Sequence, residues 1–167
     1  MDKEELIRII QKAVQTERDG NHFYSEVAEA TRDPKEKKMF EQLARDELYH
    51  VQVIKDLYHD LLPDAPEEPV KGFPVFEKRK RELGGRLPDL GNEFEVLQKA
   101  IEDEKEARDF YRKAAGSFES DQAGEVFADL MEMEEGHIRL LQAELDFLEK
   151  TGFYFDHMEF TVEGERG

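Results

Sequence analysis

Two short motifs with the same spacing stand far apart in the chain. Glu47-Leu48-Tyr49-His50 and Glu134-Glu135-Gly136-His137 each place a carboxylate and an imidazole three residues apart, and each is preceded by a further glutamate, Glu17 and Glu104. On a helix, residues three apart share a face, so the Glu and His of each motif can reach one point. Oxygen-rich donors with one imidazole per motif and no sulfur suit iron or manganese better than structural zinc. Two such half-sites facing each other would make one binuclear metal centre.

The motifs belong to a longer repeat. Ala13-Val14-Gln15-Thr16-Glu17 with Phe23-Tyr24 returns as Ala100-Ile101-Glu102-Asp103-Glu104 with Phe110-Tyr111, an offset of 87 residues, and Phe40 and Leu43 map by the same shift onto Phe127 and Leu130. With 41 acidic residues in the chain, one isolated Glu-x-x-His would be accidental as readily as functional. The shared offset is what makes the six residues a set.

These residues need helices to carry them. Leu6, Ile9, Ile10, Ala13, Tyr24, Val27 and Ala28 recur at spacings of three and four, which predicts a helix over about residues 3 to 31. Asp33-Pro34 then reads as a cap and a first-turn proline, opening a second helix with Phe40, Leu43, Val51, Ile54, Leu57 and Leu61 on one stripe. A third helix is expected from near Asn92 through Phe94, Leu97, Ala100, Ile101, Phe110, Tyr111 and Ala114 to near Gly116. A fourth runs from near Ser120 to Gly152 with Phe127, Leu130, Leu141, Leu145 and Leu148. Between the second and third, about residues 62–91, periodicity is lost among prolines, glycines and the basic run Lys78-Arg79-Lys80-Arg81, which reads as solvated. This is a long crossover, expected to bring the third helix to the end where the first one starts. The fold class is therefore all-α: an antiparallel four-helix bundle over residues 1–152. A short aromatic tail, 153–167, is expected to pack on the bundle or on a second subunit.

On the second helix Glu47 and His50 interrupt the apolar stripe between Leu43 and Ile54, and on the fourth Glu134 and His137 interrupt it between Leu130 and Leu141. Glu17 and Glu104 fall on the inner stripes of the first and third. Charged groups enter a core only when paired or metal-bound. Four crowded carboxylates repel one another and take up protons, whereas two divalent cations would leave them formally neutral.

The composition excludes other readings. A net charge of -17 repels phosphate backbones and anionic membrane surfaces, so neither nucleic acid nor membrane is an expected partner. Zero cysteines exclude disulfides and thiolate metal sites and suit a cytoplasmic protein. No apolar run approaches membrane-spanning length, and the first residues lack the layout of a signal peptide.

Over about residues 3 to 150 the sequence resembles the ferritin-like di-iron carboxylate superfamily, and within it the helical domain of rubrerythrin. That family is itself defined by this ligand pattern, so the likeness and the residue argument share a foundation. The resemblance implies that Glu17, Glu47, His50, Glu104, Glu134 and His137 bind two iron ions, with manganese or zinc as alternatives. It further implies reduction of hydrogen peroxide or dioxygen, or else iron handling and storage without turnover, and a homodimer. Two departures from the family pattern stand out. No cysteine-ligated rubredoxin iron is present, so electrons would come from a separate redox protein. The extra glutamate commonly found one turn after the third-helix ligand is replaced by Ala107, with Gly20 at the mirror position.

Three further residues are candidates around the centre. Tyr24 and Tyr111 lie two turns after Glu17 and Glu104, where a phenol can hydrogen-bond a ligand carboxylate or donate an electron. Asp46 can orient a ligand histidine, most simply the one across the bundle, although Met133 at its mirror position breaks the symmetry. His22, His59 and His157 have no symmetric partners and read as surface or packing residues.

Overall fold

The first two helices begin where the sequence offers a cap. The computed structural model describes residues 2–65 and 93–153, the side chains of 152 and 153 excepted. Asp2 accepts from the backbone N–H groups of Glu4 and Glu5 and starts α1, Lys3–Ala30. Asp33 does the same for Lys35 and Glu36 at the start of α2, Pro34–Leu61, with the proline in the first turn where a missing N–H costs nothing. Thr31 closes α1 by returning its N–H to Val27 and Ala28, which leaves a turn of three residues and makes α1 and α2 neighbours. Beyond the gap lie α3, Glu93–Ser117, and α4, Gln122–Leu148.

The α3–α4 turn is closed differently. Asp121 makes no side-chain cap bond; the backbone does the work, with Asp121 N–H donating to Phe118 O at 2.9 Å. A Cβ at Gly124 would sit 2.1 Å from that same Phe118 oxygen, so only glycine allows this approach. At the far end α4 stops at Leu148 and widens into one π-helical turn, Glu149–Phe153. The Thr151 hydroxyl donates to Phe147 O at 2.6 Å, competing for the carbonyl that a regular turn would use.

The apolar stripes form two clusters. One gathers Leu6, Ile10, Ile54, Leu57, Tyr111, Phe118, Phe127 and Leu130, and the other Phe23, Val27, Phe40, Leu43, Leu97, Ile101, Leu141 and Leu145. The first therefore joins the start of α1 to the ends of α2 and α3 and the start of α4, and the second holds the opposite ends. This corrects one expectation: α3 starts at the end where α1 finishes, not where α1 starts. A short turn after α2 would have put α3 the other way round, so it is this reversed direction that requires a connection between opposite ends. Phe94, expected on the inner stripe, is exposed, and Val96 takes a place in the core beside Leu97.

The basic run 78–81, most of the crossover, residues 154–167 and His157 lie outside the described residues. Of the other histidines without a counterpart in the repeat, His22 is exposed against Glu26 and His59 is exposed on α2. Among the described residues no helix is long and apolar enough to cross a membrane.

Candidate metal centre

Midway along the bundle, between the two apolar clusters, the stripes are interrupted on all four helices at one level. Glu17 from α1, Glu47 and His50 from α2, Glu104 from α3, and Glu134 and His137 from α4 are all buried, the four glutamates at most 2% exposed. Their donor atoms form two overlapping groups, Glu17, Glu47, His50 and Glu134 in one and Glu47, Glu104, Glu134 and His137 in the other, each within 4.8 Å. Glu47 and Glu134 belong to both. The structure thus brings together all six residues singled out from the sequence.

The two imidazoles lie almost parallel, ring centroids 5.3 Å apart, and both turn Nδ1 toward the carboxylates. His50 Nδ1 is 3.0 Å from Glu17 and 3.3 Å from Glu134; His137 Nδ1 is 3.3 Å from Glu47, 3.4 Å from Glu104 and 3.3 Å from Glu134. Tyr24 and Tyr111 do reach carboxylates, but across the bundle: Tyr24 donates to Glu104 at 2.5 Å, and Tyr111 donates to Glu17. Each phenol therefore ties one half of the repeat to the other. Asp46 lies 3.1 Å from His137 Nε2, the cross-bundle placement expected of it.

Other polar residues around the centre were not picked out by spacing. Gln42 donates to the second oxygen of Asp46 at 2.7 Å and accepts from Arg45 at 2.9 Å, an exposed chain leading to the buried histidine. Asp103 and Thr16 occupy equivalent positions of the repeat beside Glu104 and Glu17, and both are buried. A polar residue at both copies of a position flanking the inner stripe was the available signal. Asp19, also buried, accepts from Gln15; its repeat equivalent Glu106 is acidic too but exposed, so the repeat does not show that Asp19 lies inside.

Burial alone pushes all four carboxyl groups up, and what opposes it differs between them. Glu17 overcomes burial through Glu47, His50 and Tyr111 and falls to about 2; Glu104, beside His137, Glu134 and Tyr24, is likewise lowered. Glu47 and Glu134, buried and facing the charges of Glu17 and of other glutamates, are raised well above the usual carboxylate range. The histidines lose to burial but gain more from the carboxylates. His50 rises to about 10 and His137 rises further. Without cations, the cluster balances two imidazolium ions against two carboxylates and keeps two neutral acids. Burial first, and then the neighbouring carboxylates, hold both tyrosines in the phenol form.

That balance leaves polar atoms stranded. Glu47 Oε1, both oxygens of Glu134 and His137 Nδ1 are buried without a hydrogen-bond partner among the described residues. An orphaned buried polar atom costs about 1–3 kcal/mol. All four atoms point into the cluster, and three of them belong to the two shared glutamates. The donor set fits a pair of cations, which would give every stranded atom a partner.

Comparison with known proteins agrees with this geometry. The Bacillus subtilis (strain 168) protein YhjR, itself uncharacterized, is 30% identical over 132 residues, 79% of this chain and 81% of that one. Among solved structures, a hypothetical protein from Pyrococcus furiosus matches with a TM-score of 0.69 at 22% identity, over 88% of this chain and 93% of that chain. A bacterioferritin-related protein from Bacteroides fragilis, described as a dodecameric thioferritin, matches with a TM-score of 0.73 at 21% identity, over 93% and 92%. Such identities bear on fold alone, and the fold is the ferritin-like bundle. The family model of rubrerythrin matches residues 8–145, a span that takes in both copies of the repeat and all six clustered donors, and the chain belongs to the rubrerythrin family.

Proposed function

We propose that the cluster holds two iron ions and that the protein reduces hydrogen peroxide or dioxygen, using electrons from a separate redox protein. The observation that carries this reading is the pair of overlapping donor sets sharing Glu47 and Glu134. Glu17 and His50 would hold one ion, Glu104 and His137 the other, and Glu47 and Glu134, common to both donor sets, would contribute to each. A bound ferrous pair supplies two electrons together and a Lewis acid for developing oxide charge.

The chain's own part is positioning and exclusion. The Tyr24 and Tyr111 hydroxyls hold Glu104 and Glu17 from across the bundle, so each terminal carboxylate is steadied by the opposite half. Apolar clusters above and below keep bulk water from the centre. Ala107 and Gly20, both buried and one turn beyond the terminal glutamates, bring no further carboxylate to the centre.

Stopped-flow mixing of the diferrous protein with peroxide tests the proposal. Oxidation much faster than that of free ferrous ions is expected; a rate no faster overturns it. Elemental analysis of protein purified without oxygen decides between iron and the manganese or zinc alternatives.

A second reading, iron oxidation and storage without substrate turnover, draws on the likeness to the dodecameric thioferritin. Iron uptake well beyond two per chain in a cage-like assembly would favour it. A cytoplasmic homodimer binding only two ions per chain would favour the first.

A further inference from the structure

We propose that the two ion positions are unequal and that Asp46 is the positioning residue that makes the one at His137 fill first. The inference rests on the two-ion reading above and extends it.

Seen from the cluster, the two histidines are related by the repeat. Seen from behind, they are not. His137 directs Nδ1 at Glu47, Glu104 and Glu134 while its Nε2 lies 3.1 Å from Asp46 Oδ2. Asp46 is itself held, its other oxygen accepting from Gln42, which accepts in turn from Arg45. Shifted by one repeat, Gln42, Arg45 and Asp46 become Asp129, Glu132 and Met133. Met133 brings a thioether where Asp46 brings a carboxylate, and an acid replaces the basic residue behind it. Among the described residues His50 thus has no equivalent relay.

The consequence is chemical. A carboxylate accepting the Nε2 proton fixes the tautomer in which Nδ1 presents its lone pair to an ion, locks the ring orientation, and makes the imidazole a stronger donor. Partners of this kind typically contribute a factor of about 10–100 in metal affinity. The relay is partly exposed, with the Asp46 side chain at 36%, so the lower end of that range is expected.

The test is a titration of metal-free protein with Co2+, followed by its visible absorption and by proton NMR of the exchangeable imidazole N–H signals that the bound ion shifts. Repulsion between the ions also separates the two steps, so the readout is how each step responds to substitution. Asp46→Asn should weaken the first step by about tenfold, leave the second within about threefold, and speed solvent exchange of the N–H signal that appears with the first equivalent. Met133→Asp, which supplies the missing carboxylate, should strengthen the second step and slow exchange of the second N–H signal. An Asp46→Asn variant that leaves the first step unchanged, or moves both steps equally, overturns the proposal. Two Co2+ ions bound with no response to either substitution would refute only this inequality. Failure to bind Co2+ at all would instead refute the two-ion reading beneath it.

Discussion

Glu17, Glu47, Glu104 and Glu134 meet in the middle of the bundle together with two imidazoles and almost no exposure, whereas Asp33, Glu36, Glu93 and Glu144 crowd at one end, with no histidine among the described residues there and with water at hand. In the middle, burial is so complete that the carboxyl groups divide into ionised and neutral members, and stranded atoms remain. At the end, burial and the neighbouring acids raise Glu36 to about 7 and raise Glu93 as well, and solvent screens the rest. Crowding of acids is common to both regions. Imidazoles and full burial distinguish the centre as a place for cations, and the bundle end holds protons at most.

The largest break in that comparison is expected from metal itself. An ion present at a thousandfold its dissociation constant stabilises the fold by about 4 kcal/mol, which in a chain of this size raises Tm by roughly 10 °C for each ion held. Calorimetry before and after chelation checks this. An unchanged melting curve would put the centre on the same footing as the acidic end.

The next effect separates members of the centre from one another. Glu104 is ionised against His137 and Tyr24, so Glu104→Gln in the metal-free protein removes one of the charges facing the buried imidazolium, leaves Asp46 on its far side, and should cost about 1.5–3 kcal/mol. Glu47 already carries a proton there, and Glu47→Gln preserves a neutral group of the same shape. Its metal-free stability should change by less than about 1 kcal/mol, while the stabilisation by metal disappears because both donor sets lose a member. Chemical denaturation of both variants, with and without metal, distinguishes these outcomes; equal costs in the metal-free state would show the assignment of protons to be wrong.

A smaller effect appears with pH. His50 is raised from 6.5 to about 10, so its stabilisation is fully present below 6.5 and is lost as pH rises through 10. Glu47 and Glu134, also raised, contribute most below 4.5 and lose that contribution as pH rises through their raised folded-state values. Glu17, lowered to about 2, contributes above 4.5 and loses it only in strong acid. The metal-free Tm should therefore fall between pH 6 and 10. Metal binding displaces the protons on the histidines and neutral glutamates, so the Tm gain from metal should grow over the same interval. Parallel Tm profiles with and without metal would contradict this.

Much of this arrangement was legible before any coordinates, for reasons that can be named. Glu47, His50, Glu134 and His137 were readable because two charged positions inside an apolar stripe conflict with burial, and the repeat removed chance as an explanation. The Asp33-Pro34 start was readable because capping is local chemistry. The direction of α3 was not, since nothing in the stripes says at which end of the bundle a helix begins. The tyrosine partners were half legible: spacing put Tyr24 and Tyr111 on the right face, but only the packing of α1 against α3 decides which carboxylate each one meets. The Gln42–Arg45 chain behind Asp46 lies on a solvated face, where the sequence shows only polar residues on a polar surface.

The smallest expected effect lies at the acidic end. Glu36, on the first turn of α2, is pushed to about 7 by burial, then by Glu93, Glu144 and Asp33. A carboxyl group with a raised folded-state pKa contributes stability that is complete below its unfolded value of 4.5 and is lost as pH rises through 7. Above that pH its charge opposes the fold, because the neighbouring acids repel it and the small cleft it lines with Phe40 and Val96 desolvates it. Glu36→Gln keeps the neutral form at every pH. It should leave Tm unchanged at pH 5 and raise it by a few degrees at pH 8 to 9, at most about 1 kcal/mol, since water still reaches the group. Added divalent metal should not reproduce that gain at this end of the bundle, although it stabilises the centre. If metal and Glu36→Gln stabilise the protein interchangeably, the distinction between a proton-holding cluster and a cation-holding one fails.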